Sequence, residues 1–220
     1  MRTHFLSMMH ISRSVVSMPR IRELHKCWYP STLNNHTIEH IVPQSYLYDK
    51  RHKHDMHNMM LLPNKVNLHR SNYKYVESYV LYPHKTILDE QGNIVLYNAP
   101  FSESRSRYIK SNLMREFTPI KIHRGKIARA CMYMAVTYPK YSNTIFSRVL
   151  DPYVLLSWHH EHPVSEFERK KNNCILDIQG NENPYISKPY LVTRHMEEII
   201  QFPLTMYNNY DYSSSQDEIL

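Results

Sequence analysis

The chain has 220 residues, a formal net charge of +7 and 42% hydrophobic residues. This length is enough for one substantial domain with its own core, and no unbroken apolar stretch is long enough to span a bilayer, so we expect no membrane partner. The three cysteines, Cys27, Cys131 and Cys174, show no CxxC spacing, which argues against a disulfide framework and against a cysteine zinc site.

Composition divides the chain into three parts. We expect residues 1–30 to form a helical or loosely ordered N-terminal segment, although the first twenty residues contain arginine and no acid and are also similar in composition to a mitochondrial transit peptide. Residues 31–203 should form the folded domain. Residues 204–220 are polar, and we expect them to form a disordered tail.

Periodicity and turn residues predict the elements of this domain in chain order. A strand is expected at about 37 to 42, a helix across 64 to 75, and a hairpin turn at Gly92. Apolar residues at helical spacing predict a helix after Gly125. Further helices are expected near 146 to 160 and between a capping box, Ser165 with Glu168, and the closing Gly180. The mixture predicts an α+β fold in which helices predominate.

The stretch TIEHIVPQ places Glu39 directly beside His40 and ends the predicted strand at Pro43. Asn67 follows on the predicted helix, and a carboxylate and an amide oxygen are ligands that suit Mg²⁺. A neutral imidazole beside that ion could deprotonate a water for phosphodiester hydrolysis. The two neighbouring side chains would then flank one phosphate from opposite sides, at the end of the strand.

The histidine-rich run DKRHKHDMHN permits a second interpretation. His52, His54 and His57 resemble the HxHxDH zinc signature of metallo-β-lactamase-like hydrolases, but Asp55 is one position early, so the bridging geometry of that signature is lost. A solvated basic loop is the favoured interpretation of the run taken alone.

Four ordered segments make the chain similar to the endonuclease I family, nucleases with a ββα-metal (His-Me finger) core. IEHIVPQS resembles the family's EHVVP segment, and DMHN followed by KVNLHRSN resembles its D-[LM]-H-N and VN-x-x-R-[SG]-N segments. HRGKIARACMYM resembles the family's KG-x-IAR helix, and the stretch from Trp158 to Ile186 resembles its PV and QGN-x-NP ending. The resemblance covers most of residues 38 to 186.

The resemblance implies a ββα-metal core embedded in a mainly helical nuclease domain over residues 31–203. It implies that Glu39 and Asn67 hold one Mg²⁺, a site that Mn²⁺ or Ca²⁺ could also occupy, and that His40 is the general base. The expected activity is endonuclease cleavage of DNA, and RNA is left open as a second substrate. We expect little sequence preference and products with 5′-phosphate ends. The alternative is an inactive nucleic-acid-binding protein with the same fold.

Several cationic side chains are candidates for binding phosphate or nucleic acid. The family's phosphate-binding arginine lies in a loop that is shortened here, and Arg51, or Lys53, could substitute. Nucleic acid would be bound by Arg70 and by a basic run in which a merely solvated face is an equal alternative for each residue. The run comprises Arg105, Arg107, Lys110, Arg115, Lys121, Arg124, Lys126 and Arg129.

The absence of the family's disulfide cysteines and of a convincing signal peptide predicts an intracellular or virion-associated protein in a reducing compartment. Such a nuclease would endanger its own genome, so we expect restraint by timing, by compartment or by an unidentified inhibitor. No small-molecule cofactor is expected.

Overall fold

The computed structural model describes residues 35–77, 85–94, 108–112 and 114–208. Within these ranges helices predominate over two small sheets, which confirms the predicted α+β class. The predicted N-terminal segment 1–30, most of the predicted tail, and the predicted nucleic-acid contacts Arg105 and Arg107 lie outside the described residues.

A two-stranded antiparallel sheet and one helix carry the residues around Glu39. Strand β1 spans His36–His40 and pairs with β2, Met59–Pro63, in a register that sets His40 opposite Met59. Helix α2, Asn64–Arg70, follows β2 directly and packs against β1. The chain therefore has a strand–strand–helix arrangement at this point. A short helix α1, Lys50–Lys53, lies in the connection between the two strands.

The second sheet has four strands in the order β3, β6, β5, β4. Their bounds are Lys74–Tyr75 for β3, Lys85–Leu88 for β4, Tyr108–Ser111 for β5 and Glu116–Thr118 for β6. The β3–β6 pair is parallel and the other two pairs are antiparallel. The first strand of this sheet follows shortly after the end of α2.

The rest of the described chain is helical. The helices are α3, Lys121–Thr137; α4, Ser142–Arg148; α5, Pro152–Glu161; α6, Glu166–Gln179; α7, Pro184–Ser187; and α8, Leu191–Asn208. Helix α3 is buried on most of its circumference, including Ile127, Cys131 and Met134, and such all-round burial is typical of a central core helix. No helix in the described part of the chain has the length and apolarity needed to cross a membrane.

Helix α3 lies unusually close to the end of α5. A Cβ atom built on Gly125 would overlap the backbone oxygen of His162, so no side chain fits there. Glycine at this position is therefore required by the packing of two backbones rather than by a turn. The sequence places Gly125 before the helix, whereas the helix begins four residues earlier, at Lys121.

Several predicted elements are confirmed with changed bounds. The predicted helix 64–75 ends at Arg70, because Ser71 has a positive φ of 54°. The predicted helix 146–160 is two helices, since Asp151 caps a new helix that begins with Pro152. The capping box of Ser165 and the left-handed Gly180, with φ of 84°, bound α6 as predicted. At Gly92 a turn with φ of 79° follows β4.

Candidate active site

An open cleft of about 340 Å³ lies at the end of β1. Glu39 and His40 from β1, Gln44 from the turn after it, and Asn67 and Arg70 from α2 all line this cleft. The structure thus brings Glu39, His40 and Asn67 together on one surface, as the sequence interpretation requires, while their chemical roles stay predictions.

The end of β1 is held in place by a side chain that replaces a strand partner. Asn58 accepts a hydrogen bond from the Val42 backbone nitrogen at 2.7 Å and donates one to the Val42 oxygen at 2.9 Å. Asn58 is fully buried, so both bonds are protected from water. The strand therefore ends in a fixed geometry, and Glu39 and His40 reach the same cleft although they are neighbours in sequence.

The tautomer of His40 follows from its contact with a backbone carbonyl. Nε2 of His40 lies 3.0 Å from the backbone oxygen of Lys53, and a carbonyl oxygen only accepts, so Nε2 must carry the hydrogen. The remaining ring nitrogen, Nδ1, then carries an unprotonated lone pair. Burial lowers the pKa of His40 to about 4, although the Lys53 bond favours the charged form. The ring is therefore neutral at neutral pH and its Nδ1 can accept a proton.

Gln44 is the nearest donor to this lone pair. Its Nε2 lies 3.1 Å from Nδ1 of His40 and 3.0 Å from Nε2. Because Nε2 of His40 already carries a hydrogen, only Nδ1 can accept from the Gln44 amide. The sequence interpretation missed this residue, although its position four residues after His40 was a usable signal.

Glu39 is a buried carboxylate with one oxygen engaged. Its Oε1 forms an ion pair with Arg70 at 2.8 Å and accepts from the Tyr75 hydroxyl at 3.2 Å. No donor among the described residues contacts Oε2. Burial raises the pKa of Glu39 to about 7, because desolvation outweighs the opposing effects of the Arg70 cation and the Tyr75 hydroxyl. Additional positive charge in the cleft would therefore favour the ionised form.

Asn67 has a fixed amide orientation. Its Nδ2 donates to Oγ1 of Thr37 at 2.8 Å and to the backbone oxygen of Ile38 at 3.1 Å. The carbonyl of Ile38 cannot donate, so the nitrogen must be the atom on that side. The oxygen Oδ1 therefore faces the other way, and within the described part of the chain it accepts no hydrogen bond.

Arg70 differs from its predicted role as a surface contact for nucleic acid. Its side chain is 1% exposed, donates to the backbone oxygens of His40 at 3.1 Å and Ile41 at 2.7 Å, and lies 4.3 Å from the centre of the Tyr75 ring. A cation that is desolvated and paired with Glu39 contributes little charge to a surface. The geometry assigns Arg70 to positioning the strand end and neutralising Glu39.

Arg51, predicted as the phosphate-binding cation, contacts a carboxylate outside the cleft. Its side chain is 72% exposed and pairs with Asp49 at 3.0 Å, and it is not among the residues that line the cleft. Lys53, the other candidate, contributes its backbone oxygen to His40. The short connection between β1 and β2 thus places a carbonyl, rather than a cation, against the histidine.

Two arginines of the basic run are buried where the structure describes it. Arg124 pairs with Glu77 at 2.7 Å and is 8% exposed, whereas Arg129 pairs with Glu168 at 2.8 Å and is 1% exposed. Lys126 lies half-buried beside Phe167. Burial in ion pairs removes Arg124 and Arg129 from the predicted nucleic-acid surface, because their charge is neutralised by carboxylates distant in sequence.

The histidine-rich run does not form a zinc site. Among the described residues, no group of three His, Cys, Asp or Glu side chains could hold a metal ion together. Nδ1 of His52 contacts the Tyr141 hydroxyl at 3.0 Å, and Nε2 of His57 donates to the Asn181 oxygen at 3.0 Å. The nitrogens that a zinc ion would need are engaged in separate places.

Asp55, from the same run, anchors the connection between the strands. Its carboxylate accepts from the Tyr138 hydroxyl at 2.6 Å and from the Tyr133 hydroxyl at 2.8 Å, both on or beside α3, and from Gln179 at 3.0 Å. Burial alone would raise the pKa of Asp55, but the nearby His57 and these hydrogen bonds hold it below its usual value. The carbonyl that orients His40 therefore belongs to a segment fastened to the core.

Comparison with known proteins identifies the family of the chain. Residues 17–190 match the family model described as Endonuclease I. The chain is 25% identical to an "Endonuclease-1" of Buchnera aphidicola subsp. Acyrthosiphon pisum (strain APS) over 197 residues, covering 76% of this chain and 68% of that one. It is 27% identical to an "Extracellular deoxyribonuclease" of Aeromonas hydrophila over 135 residues, covering 61% and 49%. A "Periplasmic deoxyribonuclease" of the same organism is 24% identical over 140 residues, covering 61% and 47%.

The chain thus spans between about half and two thirds of the length of these relatives. Their names overturn one expectation. Extracellular and periplasmic relatives point to a secreted or periplasmic protein, so the prediction of an intracellular or virion-associated protein is wrong. The prediction relied on cysteine usage and on the lack of a convincing signal peptide. Cysteine usage does not decide the compartment, because a chain that can bury a large core does not need disulfides in any compartment.

Proposed function

Because the chain belongs to the endonuclease I family, we propose that it is a metal-dependent endonuclease that hydrolyses the phosphodiester bonds of DNA. The family and the names of the relatives support an endonuclease that acts on DNA. One observation carries the finer proposal. The unprotonated nitrogen of His40 belongs to a residue lining the cleft, and so do two oxygens that accept no hydrogen bond from the described residues, Glu39 Oε2 and Asn67 Oδ1.

The donor set fits a hard divalent cation. Carboxylate and amide oxygens are the ligands that Mg²⁺ prefers, and this ion keeps several waters, so two protein ligands suffice. Glu39 and Asn67 would hold Mg²⁺, or Mn²⁺ or Ca²⁺ in its place. When bound, the ion would neutralise negative charge on the phosphate and on the departing 3′ oxygen. In this proposal, β1, β2 and α2 are the ββα-metal core.

His40 is the general base of the proposed reaction. Its Nδ1 removes one proton from a water molecule, while Nε2–H stays bonded to the Lys53 oxygen and keeps the ring oriented. An anionic phosphate in the cleft favours the protonated ring and so raises the basicity of Nδ1 above that of the free protein. The Lys53 carbonyl also favours protonation of the ring, because the hydrogen bond donated by Nε2–H becomes stronger when the ring is positively charged.

The products follow from the direction of attack. The oxygen of the water bonds to phosphorus, the bond from phosphorus to the 3′ oxygen breaks, and that oxygen takes up a proton from solvent. Cleavage therefore leaves a 5′-phosphate and a 3′-hydroxyl. Because contacts to phosphates position nucleic acid without reading its bases, we expect little sequence preference.

The experiment that tests the proposal is plasmid nicking by the purified protein with Mg²⁺, with EDTA, and by His40→Ala. A positioned general base contributes about 10²- to 10⁴-fold to rate, so we expect His40→Ala to lose activity by that factor while still binding DNA. His160→Ala is the matched control, because His160 is exposed on α5 and hydrogen-bonds only to Thr193 among the described residues.

Intact supercoiled plasmid after incubation of the native protein with Mg²⁺ would contradict the proposal and favour a protein that binds nucleic acid without cleaving it. Equal rates for His40→Ala and His160→Ala would refute the role of His40. Parallel reactions on RNA of matched length decide whether cleavage extends beyond DNA.

A further inference from the structure

Four of the arginines that the sequence predicts to contact nucleic acid or phosphate are paired with carboxylates. Each of the four has a carboxylate partner within 3.0 Å. A polyanion is attracted by uncompensated charge and binds by replacing counterions with cationic side chains. Arginines that are already neutralised cannot do this without breaking an ion pair. The four are Arg51 with Asp49, Arg70 with Glu39, Arg124 with Glu77, and Arg129 with Glu168.

Two cations of the second sheet are held by neutral groups instead. The Nζ of Lys110 lies 4.9 Å from the centre of the Tyr73 ring, and the guanidinium of Arg115 lies 5.4 Å from it. Arg115 also donates to the Asn72 side-chain oxygen at 2.9 Å. Within the described ranges neither cation has a carboxylate partner, so both charges are positioned without being cancelled.

The Tyr73 ring that carries these cations is itself fixed. Its hydroxyl donates to Oδ1 of Asn112 at 3.2 Å, which ties the ring to the turn after β5. A cation over an aromatic face is stabilised by the ring and still exposes its remaining N–H groups. Lys110 and Arg115 are thus held in place and still able to contact a ligand.

This group of residues borders the cleft. Asn72, which accepts from Arg115, lines the cleft together with Ser71 and Asn67. The backbone oxygen of Arg115 also accepts from the Lys74 nitrogen at 3.0 Å, where β3 pairs with β6. The guanidinium of Arg115 is therefore one hydrogen bond from the rim of the cleft that contains His40.

The backbone at this rim is strained on both sides. Ser71 and Arg115 each have a φ of 54°, and they are the residues other than glycine with positive φ in the described part of the chain. Such a conformation costs of order 1 kcal/mol or more in a residue with a Cβ atom, and strained residues cluster at binding sites. Arginine at a position that glycine or asparagine would occupy more easily indicates that its side chain is needed.

We propose that Lys110 and Arg115, supported by Tyr73 and Asn72, form a phosphate-binding rim that holds the backbone of double-stranded DNA beside the cleft. The inference rests on the proposed function and deepens it by placing the DNA that flanks the scissile phosphate. The rim positions the duplex through phosphates and does not read bases.

The test measures binding without cleavage. All variants carry His40→Ala, and the dissociation constant for a fluorescent duplex is determined by anisotropy at several salt concentrations. Arg115→Asn removes the charge and keeps a residue that tolerates a left-handed backbone, and Lys110→Gln removes the second charge. Arg194→Gln is the matched control, because Arg194 is exposed on α8 beside Glu198.

Each lost phosphate contact should reduce the slope of log affinity against log salt by about 0.9. The dissociation constant rises when salt is raised from 50 to 200 mM. By the same relation, the factor of this rise should be about 3.5 times smaller in each variant than in the parent. Circular dichroism and melting temperatures matching the parent establish that the variants are folded.

Slopes equal to that of Arg194→Gln would overturn the inference and leave the proposed function to the nicking assay. Reduced slopes together with a native protein that does not nick plasmid would support the rim and refute the nuclease. A parent protein that does not bind the duplex at all would overturn the rim, and plasmid nicking by the native protein would still decide the proposed function separately.

Discussion

Replacing Glu168 tests the buried ion pair that joins α3 to α6. Glu168 contacts Arg129 through both oxygens, Nε to Oε1 at 2.9 Å and Nη2 to Oε2 at 2.9 Å. It also accepts from the Ser165 backbone nitrogen at 3.1 Å, as part of the capping box. The substitution Glu168→Gln keeps the volume and a side chain that can complete the box, and removes the negative charge.

The expected cost follows from burial. The side chains of Arg129 and Glu168 are 1% and 7% exposed, so the variant would leave a guanidinium desolvated without its partner. Removing one member of a buried pair costs about 3 to 5 kcal/mol. A globular domain has a total free energy of unfolding of about 5 to 15 kcal/mol, so the variant should lose a large fraction of its stability.

Urea unfolding followed by far-UV circular dichroism measures the difference in unfolding free energy between the variant and the native protein. We expect the slope of free energy against urea concentration to be the same for both proteins. Glu166→Gln is the matched control on the same helix, because Glu166 pairs with Lys170 at 2.7 Å but the side chains are 79% and 73% exposed. An exposed pair is worth less than about 1 kcal/mol. If the two variants lose stability equally, burial is not the cause, and the reasoning is refuted.

Two further predictions concern the site and its anchor. The substitution Gln44→Ala removes the amide that donates to Nδ1 of His40 and keeps the bond from His40 to the Lys53 oxygen. We therefore expect kcat/KM for plasmid nicking to rise by up to about tenfold, which corresponds to one hydrogen bond. A large loss of kcat/KM would instead show that Gln44 takes part in the reaction. Because Asp55 has a pKa below that of the unfolded chain, it stabilises the fold above the unfolded pKa and loses this effect as pH falls through the folded value. The difference in unfolding free energy between the native protein and Asp55→Asn, measured in urea, should therefore shrink between pH 5 and pH 3, and a constant difference would exclude this linkage.

Local signals predicted the elements that depend on neighbours in sequence. The box of Ser165 and Glu168 and the left-handed Gly180 set the bounds of α6 through contacts within a few residues. The strand around Glu39 was likewise predicted, because Pro43 ends it locally. The break between α4 and α5 carried a readable signal, Asp151 before Pro152, which the interpretation of one helix overlooked.

Contacts between residues distant in sequence determined the features that the sequence could not indicate. Arg124 and Arg129 look like surface cations in a basic run, and only the fold brings Glu77 and Glu168 against them. In the candidate site, too, local features could be predicted and long-range contacts could not. Glu39, His40 and Asn67 could be predicted from residue type and motif, whereas the bond from His40 to the Lys53 oxygen depends on how the connection between the strands folds back.

The contact between His40 and a main-chain oxygen also bears on how this protein can evolve. Every amino acid has the same carbonyl, so a codon change at position 53 alters a side chain that the ring does not use. The segment around Lys53 can therefore drift in charge and size while the imidazole keeps its orientation. Insertions and deletions, which shift the path of the chain, are the changes to which this enzyme should be most vulnerable.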